Sequence, residues 1–250
     1  MGTNIPSNRA LAQNGGTDSV MCADRSRFTF RQQWFDEVIR ADWERHTQHL
    51  RGQKLQVLEI GCFEGASTTW ILDNLMHDPG STLISIDTFE GGMEHNQDSD
   101  NAAKYGLASL EDRFRANVAR CEHVGKLEVL KARSDDALVD LRNRHAVFDF
   151  VYIDASHVAI DVLHDAVTSW PMLKVHGTMV FDDYTWKGFL EDCYNPRIAI
   201  QAFLHCAAPE LKSERVESQI WVTKVPNRTN PTPNSDPEVY YWDENAGLKL

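Results

Sequence analysis

Three aspartates follow two apolar segments of the sequence, in a pattern that suits a divalent cation. Asp154 ends the segment FDFVYID, and the pair Asp182 and Asp183 ends TMVFDD. If these segments are neighbouring parallel strands, their ends bring three carboxylates together, and those charges need a counter-charge. Mg²⁺ suits this role because it binds carboxylate oxygens and keeps several waters. The alternative is that one aspartate is protonated, or pairs with Lys187 or His157.

His157 follows Asp154 by three residues and is a candidate general base. Histidine side chains in general change charge near neutral pH, as a general base requires. The sequence is equally compatible with a His157 that orients a neighbouring acid. We therefore take His157 as a candidate catalytic residue, and Asp154, Asp182 and Asp183 as the candidate metal ligands.

A second group of candidates surrounds the apolar segment VLEI, which two glycines follow. Gly61 allows a sharp turn, and Gly65 lets the next helix approach a ligand closely. The N–H groups at the start of that helix can hold a carboxylate or phosphate. Glu59 is a charge at the end of a buried segment and needs a donor or a cation. The spacing G-x-x-x-G departs from the dinucleotide pattern G-x-G-x-x-G, which disfavours a nicotinamide-dependent oxidoreductase.

Asp87 ends the next apolar segment, TLISID, 26 residues after Gly61. That spacing fits one strand–helix–strand unit, and an acid at this point accepts two hydrogen bonds from a ribose diol. A role at a helix N-terminus or in a loop is the alternative for Asp87.

Alternating strands and helices must position these residues. Short apolar segments predict strands at 55–60, 82–87, 127–131, 148–153 and 178–181, with further strand at 213–224. Helical spacing of apolar residues predicts helices at 28–50, 66–76, 158–173 and 197–207. Strands this apolar indicate a parallel sheet covered by helices on both faces, with ligands bound beyond the carboxyl ends of the strands.

Composition divides the chain into three parts. Residues 1–27 show no periodicity and predict a flexible arm, 28–226 form the folded domain, and 227–250 form a Pro- and Asn-rich, then acidic, tail. Within the domain, 88–103 carries four acids and neither Lys nor Arg. This insertion is either a solvated loop or a lid that determines specificity.

Charge and cysteine content exclude several classes of function. Lys and Arg number 25 and Asp and Glu number 37, so the net charge of −12 disfavours nucleic-acid partners. The five cysteines include no C-x-x-C pair, which disfavours a disulfide framework or zinc ribbon. The N-terminus has no apolar segment typical of a signal peptide, and no stretch is long enough to span a membrane. We therefore expect a cytoplasmic protein without membrane partners.

Other side chains have simpler interpretations. Cys62 and four tryptophans are interpreted as packing residues; the tryptophans are Trp34, Trp43, Trp170 and Trp221. Trp186, which follows the acidic pair, is expected to line a substrate pocket. The polar residues after the fourth strand are interpreted as the solvated face of a helix; these are Asp161, His164 and Asp165.

Five segments together resemble the class I S-adenosylmethionine (SAM)-dependent methyltransferases. VLEIGCFEGASTTW resembles the first motif of that family and SIDTFEGG the second. FDFVYIDASH and GTMVFDDY, with the leading segment FRQQWFDEVIRADWERHTQHL, resemble the branch that contains macrocin O-methyltransferase. The resemblance implies a Rossmann-like α/β fold, with a mostly parallel seven-stranded sheet and helices on both faces.

The resemblance also implies roles for single residues. The positions that correspond to cofactor-binding residues are Glu59, Gly61, Gly65, Ser67, Asp87, Ser134 and Asp154. The first four would hold the methionine part of SAM, Asp87 the ribose, and Ser134 would lie near the adenine. Asp154, Asp182 and Asp183 match metal-binding acids, and His157 matches the histidine of D-x-x-H. The resemblance also makes Asp154 a candidate general base, so Asp154 and His157 are the candidate catalytic residues.

The reaction implied is transfer of the SAM methyl group to a hydroxyl or carboxylate oxygen of a small molecule of secondary metabolism, assisted by Mg²⁺. A carboxylate acceptor is already ionised, so methyl esterification without a metal is one alternative. A non-catalytic SAM-binding protein is another, because a fold alone does not establish catalysis. The resemblance further implies a homodimer as a possible assembly.

Overall fold

The computed structural model describes residues 25–95 and 99–227, and its centre is a seven-stranded sheet in the order β3-β2-β1-β4-β5-β7-β6. The strands are β1 Gln56–Ile60, β2 Thr82–Asp87, β3 Leu127–Lys131, β4 Phe148–Ile153, β5 Leu173–Phe181, β6 Leu211–Val216 and β7 Gln219–Lys224. The first five pair in parallel, and β7 pairs antiparallel with both β5 and β6. The predicted fold class is confirmed. Most of the predicted arm (1–24) and tail (228–250) lies outside the described residues.

Seven α-helices occur in the described part of the chain. They are α1 Arg40–His46, α2 Ala66–Leu75, α3 Ser99–Tyr105, α4 Leu110–Val118, α5 Ser134–Asn143, α6 Ala159–Ser169 and α7 Pro196–Cys206. A π-helical segment, Phe35–Ile39, leads directly into α1, so the predicted helix 28–50 is shorter than expected. None of the helices described is long and apolar enough to cross a membrane.

Apolar residues of the central strands point alternately to two cores, one on each face of the sheet. In β1, Val57 belongs to the core beneath α1, α2 and α4, whereas Leu58 belongs to the core beneath α5, α6 and α7. Both side chains are fully buried. Helices on both faces therefore leave only the strand ends open to ligands.

Trp43 of α1 is the centre of the first core. Its ring makes edge-to-face contacts with Trp70, Phe150, Tyr152 and Trp221, at centroid distances from 4.7 to 6.0 Å. Such contacts add to the free energy gained from burial, by about 0.5–1.5 kcal/mol for each pair. Trp43 and Trp221 are thus packing residues, as predicted.

The second half of the sheet differs from the prediction at its start. The helix predicted to reach 173 ends at Ser169, and β5 begins at Leu173 instead of 178. Between these points, β5 carries a register shift against β4 and exposed residues at 174–176. That exposed stretch looks like a turn in the sequence, although its backbone is extended.

Candidate active site

Register aligns the candidate residues along one edge of the sheet. Ile60 of β1 pairs with Ile86 of β2 and with Ile153 of β4, so the residues that follow all three strands lie side by side. These residues, Gly61, Asp87 and Asp154, border a cavity of about 940 Å³. A volume of this size suits a cofactor with a small acceptor.

Gly61 is required where the chain leaves β1. Its φ is +87°, and a Cβ atom there would lie 2.0 Å from the carbonyl oxygen of Asp154. Gly65 also has a positive φ and begins α2, but a Cβ there would meet the ring of Phe114, not the cavity. The first glycine therefore allows two loops to touch, and the second allows α2 to start against α4.

Glu59 lies behind the cavity rather than in it. Its buried carboxylate accepts hydrogen bonds from the hydroxyls of Ser67 at 2.5 Å, Thr68 at 2.6 Å and Ser85 at 2.6 Å. Burial raises the pKa of Glu59 to about 7, although the three hydroxyls oppose that shift. Of this group Ser67 lines the cavity. Glu59 therefore acts by holding Ser67, whereas the resemblance implied a direct contact with the cofactor.

Asp87 ties the end of β2 to the loop after β1. Its Oδ2 accepts the N–H groups of Cys62 and Phe63, both at 2.8 Å, and its Oδ1 accepts the N–H of Phe89 at 2.7 Å. A carboxylate offers about four acceptor positions, so these bonds leave about one for a ligand. The sequence predicted two bonds to a ribose diol, and this arrangement provides one, at Oδ1.

Ser134 and Asp165 form the opposite wall of the cavity. Ser134 begins α5, and its hydroxyl lowers the pKa of the Asp165 carboxyl. Asp165 is 1% exposed, and burial raises its pKa to about 6. The prediction that Asp165 belongs to a solvated helix face is wrong, because this face of α6 closes the cavity, which Asp161 and His164 also line.

The acids after β4 and β5 are linked by a buried tyrosine. The Tyr152 hydroxyl lies 2.8 Å from Asp154 Oδ2 and 2.6 Å from Asp182 Oδ2. Burial, then the charges of Asp182 and Asp183, raise the pKa of Asp154 well above its ordinary value. Burial raises the pKa of Asp182 to about 7. A phenol has one proton and cannot donate to both carboxylates, so one acid is protonated or a cation lies beside them.

Asp183 and His157 form the rim of the cavity, next to Asp154 and Asp182. His157 Nε2 lies 2.8 Å from Asp183 Oδ2, and the imidazole stacks on Trp186 with an interplanar angle of 9°. Trp186 lines the cavity, as predicted from its position after the acidic pair. The pairing of an aspartate with His157, which the sequence left open, is therefore present with Asp183 as the partner.

The part of the chain that carries these strand ends matches a known protein family. A family model described as a methyltransferase domain matches residues 58–184, which is half of the chain. The chain belongs to this methyltransferase family. The predicted family is thereby confirmed, and no curated protein sequence matches the chain.

Solved structures share the fold of this methyltransferase. MycE from the mycinamycin biosynthetic pathway, in complex with Mg, SAH and mycinamycin VI, has a TM-score of 0.53 and 15% identity, over 83% of this chain and 58% of its own. TomG, an O-methyltransferase from Streptomyces achromogenes in complex with SAM, has a TM-score of 0.56 and 16% identity, over 78% of this chain and 88% of its own. The chain thus spans little more than half the length of MycE. At these identities the likeness is one of fold.

The methyltransferase cavity also presents residues that fit a divalent cation. Asp154, His157 and Asp183 each offer one ligand atom, and these atoms lie within 4.8 Å of one another. Adjacent corners of an Mg²⁺ octahedron are about 3.0 Å apart for metal–oxygen distances of about 2.1 Å, so these side chains would have to move slightly closer together around a bound ion. Asp182 lies behind this set, with its oxygens bonded to Tyr152 and to the N–H of Asp183.

One wall of the cavity has no recognisable signal in the sequence. Glu64, 2% exposed, accepts hydrogen bonds from the N–H of Arg31 at 2.6 Å and from Arg113 Nε at 2.9 Å. Arg113 also donates to the carbonyl oxygens of Tyr105 and Gly106, at the end of α3. These bonds fix the segment that follows the insertion 88–103, and Thr88, Met93 and His95 of the insertion line the cavity.

Aromatic rings line the mouth of the same cavity. The imidazole of His95 stacks on Phe63 at 5.1 Å, and Tyr105 meets His95 edge-on at 4.5 Å. Trp34 is 40% exposed and lines the cavity, so the prediction that it packs in the core is wrong. Trp170 and Cys62 are buried, as predicted.

Proposed function

We propose that this methyltransferase transfers the methyl group of SAM to a hydroxyl oxygen of a small, uncharged acceptor. The observation that carries the proposal is the row of strand ends along one cavity. Asp87 ends β2, in the position expected to bind a ribose. The His157–Asp183 pair lies beside Asp154 where β4 and β5 end. SAM and its product SAH are bound by MycE and TomG, which share the fold.

The strand order suggests how the cofactor would lie. In the row β3-β2-β1-β4-β5, the adenine would be near Ser134 beyond β3, and the ribose near Asp87 beyond β2. The methionine part would then lie beside Gly61 and Ser67, where the start of α2 favours a carboxylate. This arrangement leaves the ends of β4 and β5 for the acceptor.

Methyl transfer requires alignment more than charge stabilisation. The sulfonium of SAM loses its positive charge as the acceptor oxygen attacks the methyl carbon in line, so the enzyme mainly orients two partners. The acceptor hydroxyl must also lose its proton. We assign this proton to His157, with Asp183 stabilising the imidazolium through the 2.8 Å contact. His157 is thereby a catalytic residue.

Asp154 and Asp183 would hold Mg²⁺, and Asp182 would support them. When bound, the ion lowers the pKa of a coordinated hydroxyl and fixes its position. The surplus of acids at this edge supports the assignment, because carboxylates so close together need a counter-charge. Asp182 was predicted as a third ligand from the sequence, and this prediction stays open.

The charge of the cavity favours a hydroxyl acceptor over a carboxylate. Seven acids line the cavity: Glu64, Asp87, Asp135, Asp154, Asp161, Asp165 and Asp183. Arg133 is the one Lys or Arg among the lining residues described, and it forms an ion pair with Asp135 at 3.1 Å. Among the lining residues described, a carboxylate acceptor would meet more acids than basic side chains. This argues against the methyl-esterification alternative and for an acceptor of the natural-product type that the names of MycE and TomG indicate.

Calorimetry tests the cofactor assignment without knowledge of the acceptor. SAH, SAM and NAD⁺ would each be titrated into the protein. We expect SAH and SAM to bind and NAD⁺ not to bind. Binding of NAD⁺ in the absence of SAH binding would contradict the proposal.

A further inference from the structure

We infer that Gln219, which lies outside the cavity, is a positioning residue for Asp154 and acts on it through Asp182 and Tyr152. This inference rests on the proposed function only in treating Asp154 as a ligand for a cation. Gln219 is at the start of β7, beyond the family match at 58–184, and is 1% exposed.

Two indole groups fix the orientation of the Gln219 amide. Trp43 Nε1 and Trp221 Nε1 each lie 3.1 Å from its Oε1. An indole N–H only donates, so the atom that faces both tryptophans must be the amide oxygen. The amide nitrogen then faces the other way. Gln219 lies across from Asp182, because the antiparallel register of β5 and β7 pairs Phe181 with Ile220. Its amide also lowers the pKa of the Asp182 carboxyl.

Asp182 is held from several directions. Its Oδ1 accepts the N–H of Asp183 at 2.9 Å, and its Oδ2 faces the Tyr152 hydroxyl at 2.6 Å. At 3% exposure, and with Gln219 across from it, the carboxylate is enclosed by protein. Asp182 therefore presents a fixed oxygen to Tyr152.

Tyr152 carries this constraint to the cavity. Its ring is fully buried and packs edge-on against Trp43 at 4.7 Å, so its hydroxyl cannot move away. That hydroxyl lies 2.8 Å from Asp154 Oδ2, which leaves Oδ1 for a ligand in the cavity. Partners of this kind orient metal ligands, and their loss typically costs about 10–100-fold in metal affinity or activity.

The test uses Mn²⁺ alone as the probe, with its binding followed by electron paramagnetic resonance. Tyr152→Phe removes one oxygen atom, and Gln219→Met removes the amide at similar size. Thr47→Val is the matched control: Thr47 is fully buried beside Trp43, and its hydroxyl donates only to the Trp43 carbonyl at 2.7 Å. Thermal melting establishes which variants are folded.

We expect each folded variant to bind Mn²⁺ about tenfold more weakly than the wild type, with Thr47→Val within twofold. The double variant should bind Mn²⁺ no more weakly than the weaker-binding of the two single variants, because both substitutions interrupt one chain of contacts. If Gln219→Met does not fold, Trp221→Phe replaces it, since that variant removes one of the two indole donors and keeps an aromatic side chain at the position.

Mn²⁺ affinities within twofold of wild type in the folded variants would overturn the inference. If the wild type itself binds no Mn²⁺, the proposed metal site is wrong. The positioning role of Gln219 is then judged on turnover, with an acceptor that the enzyme methylates. There we expect kcat to fall at least tenfold while the KM for SAM stays within twofold. An unchanged kcat would overturn the inference in that case.

Discussion

Replacing Glu59 by glutamine should make the stability of this methyltransferase less dependent on pH. Glu59 is fully buried, and burial raises its pKa from 4.5 to about 7. Between these two values the unfolded chain releases the Glu59 proton while the folded chain keeps it. The free energy of unfolding therefore decreases as the pH rises through this window.

The size of the effect follows from the shift. A difference of 7 − 4.5 = 2.5 pKa units corresponds to about 3 kcal/mol, at about 1.36 kcal/mol per unit. Glutamine has no proton to lose, and its amide can exchange hydrogen bonds with the hydroxyls of Ser67, Thr68 and Ser85, which both donate and accept. Glu59→Gln should thus be close to wild type at pH 5 and about 3 kcal/mol more stable than wild type at pH 8.

Urea denaturation at pH 5, 6, 7 and 8 measures this difference directly. Subtracting the wild-type curve removes the titration of all groups that the two proteins share. Glu122→Gln, at an exposed glutamate, is the matched control and should give a difference that does not vary with pH. A flat difference for Glu59→Gln as well would refute the argument that burial dominates at this carboxyl.

Three further substitutions test the site. Asp87→Asn should weaken SAH binding at least tenfold by calorimetry, since one charged acceptor is worth about 1.5–3 kcal/mol; an unchanged affinity would exclude Asp87 from the cofactor site. His157→Gln should lower kcat by about 10²–10⁴-fold while SAH affinity stays within twofold, and undiminished turnover would remove His157 as the base. Gly61→Ala should lower the melting temperature by more than about 4 °C, because its Cβ would collide with the Asp154 carbonyl, and a wild-type melting temperature would contradict the close approach of the two loops.

The strand ends were predictable because each central strand is a short apolar segment followed at once by a glycine or an acid. In a parallel sheet those ends share one edge, so Gly61, Asp87 and Asp154 could be placed together before any contact was known. The start of β5 was not predictable, since Lys174 and His176 are exposed and polar although the backbone there is already strand.

Two side chains were misjudged for the same physical reason. Asp165 looks like a solvated helix residue because it is polar, and Trp34 looks like a core residue because it is apolar. Side-chain polarity predicts burial only where an element faces bulk water or a core. Here α6 faces a polar cavity, and the segment before α1 faces its mouth. Polarity alone does not distinguish a ligand cavity from either environment.

The roles of Tyr152, Gln219 and Glu64 could not be predicted from the sequence, for a different reason. Tyr152 and Gln219 look like ordinary sheet residues, and Glu64 like a loop acid. Their roles depend on partners far away in the sequence: Gln219 meets Trp43 across 176 positions, and Glu64 meets Arg113 across 49. A single sequence contains no local pattern for such pairs.

Transfer of a labelled methyl group from SAM to matched acceptors tests the central claim most directly. The acceptors are phenols and sugars, each paired with a carboxylic acid of similar skeleton, and each reaction is run with Mg²⁺ and with excess EDTA. We predict label on hydroxyl acceptors, loss of that label in EDTA, and none on the acids. Label on the carboxylic acids that persists in EDTA would contradict the account.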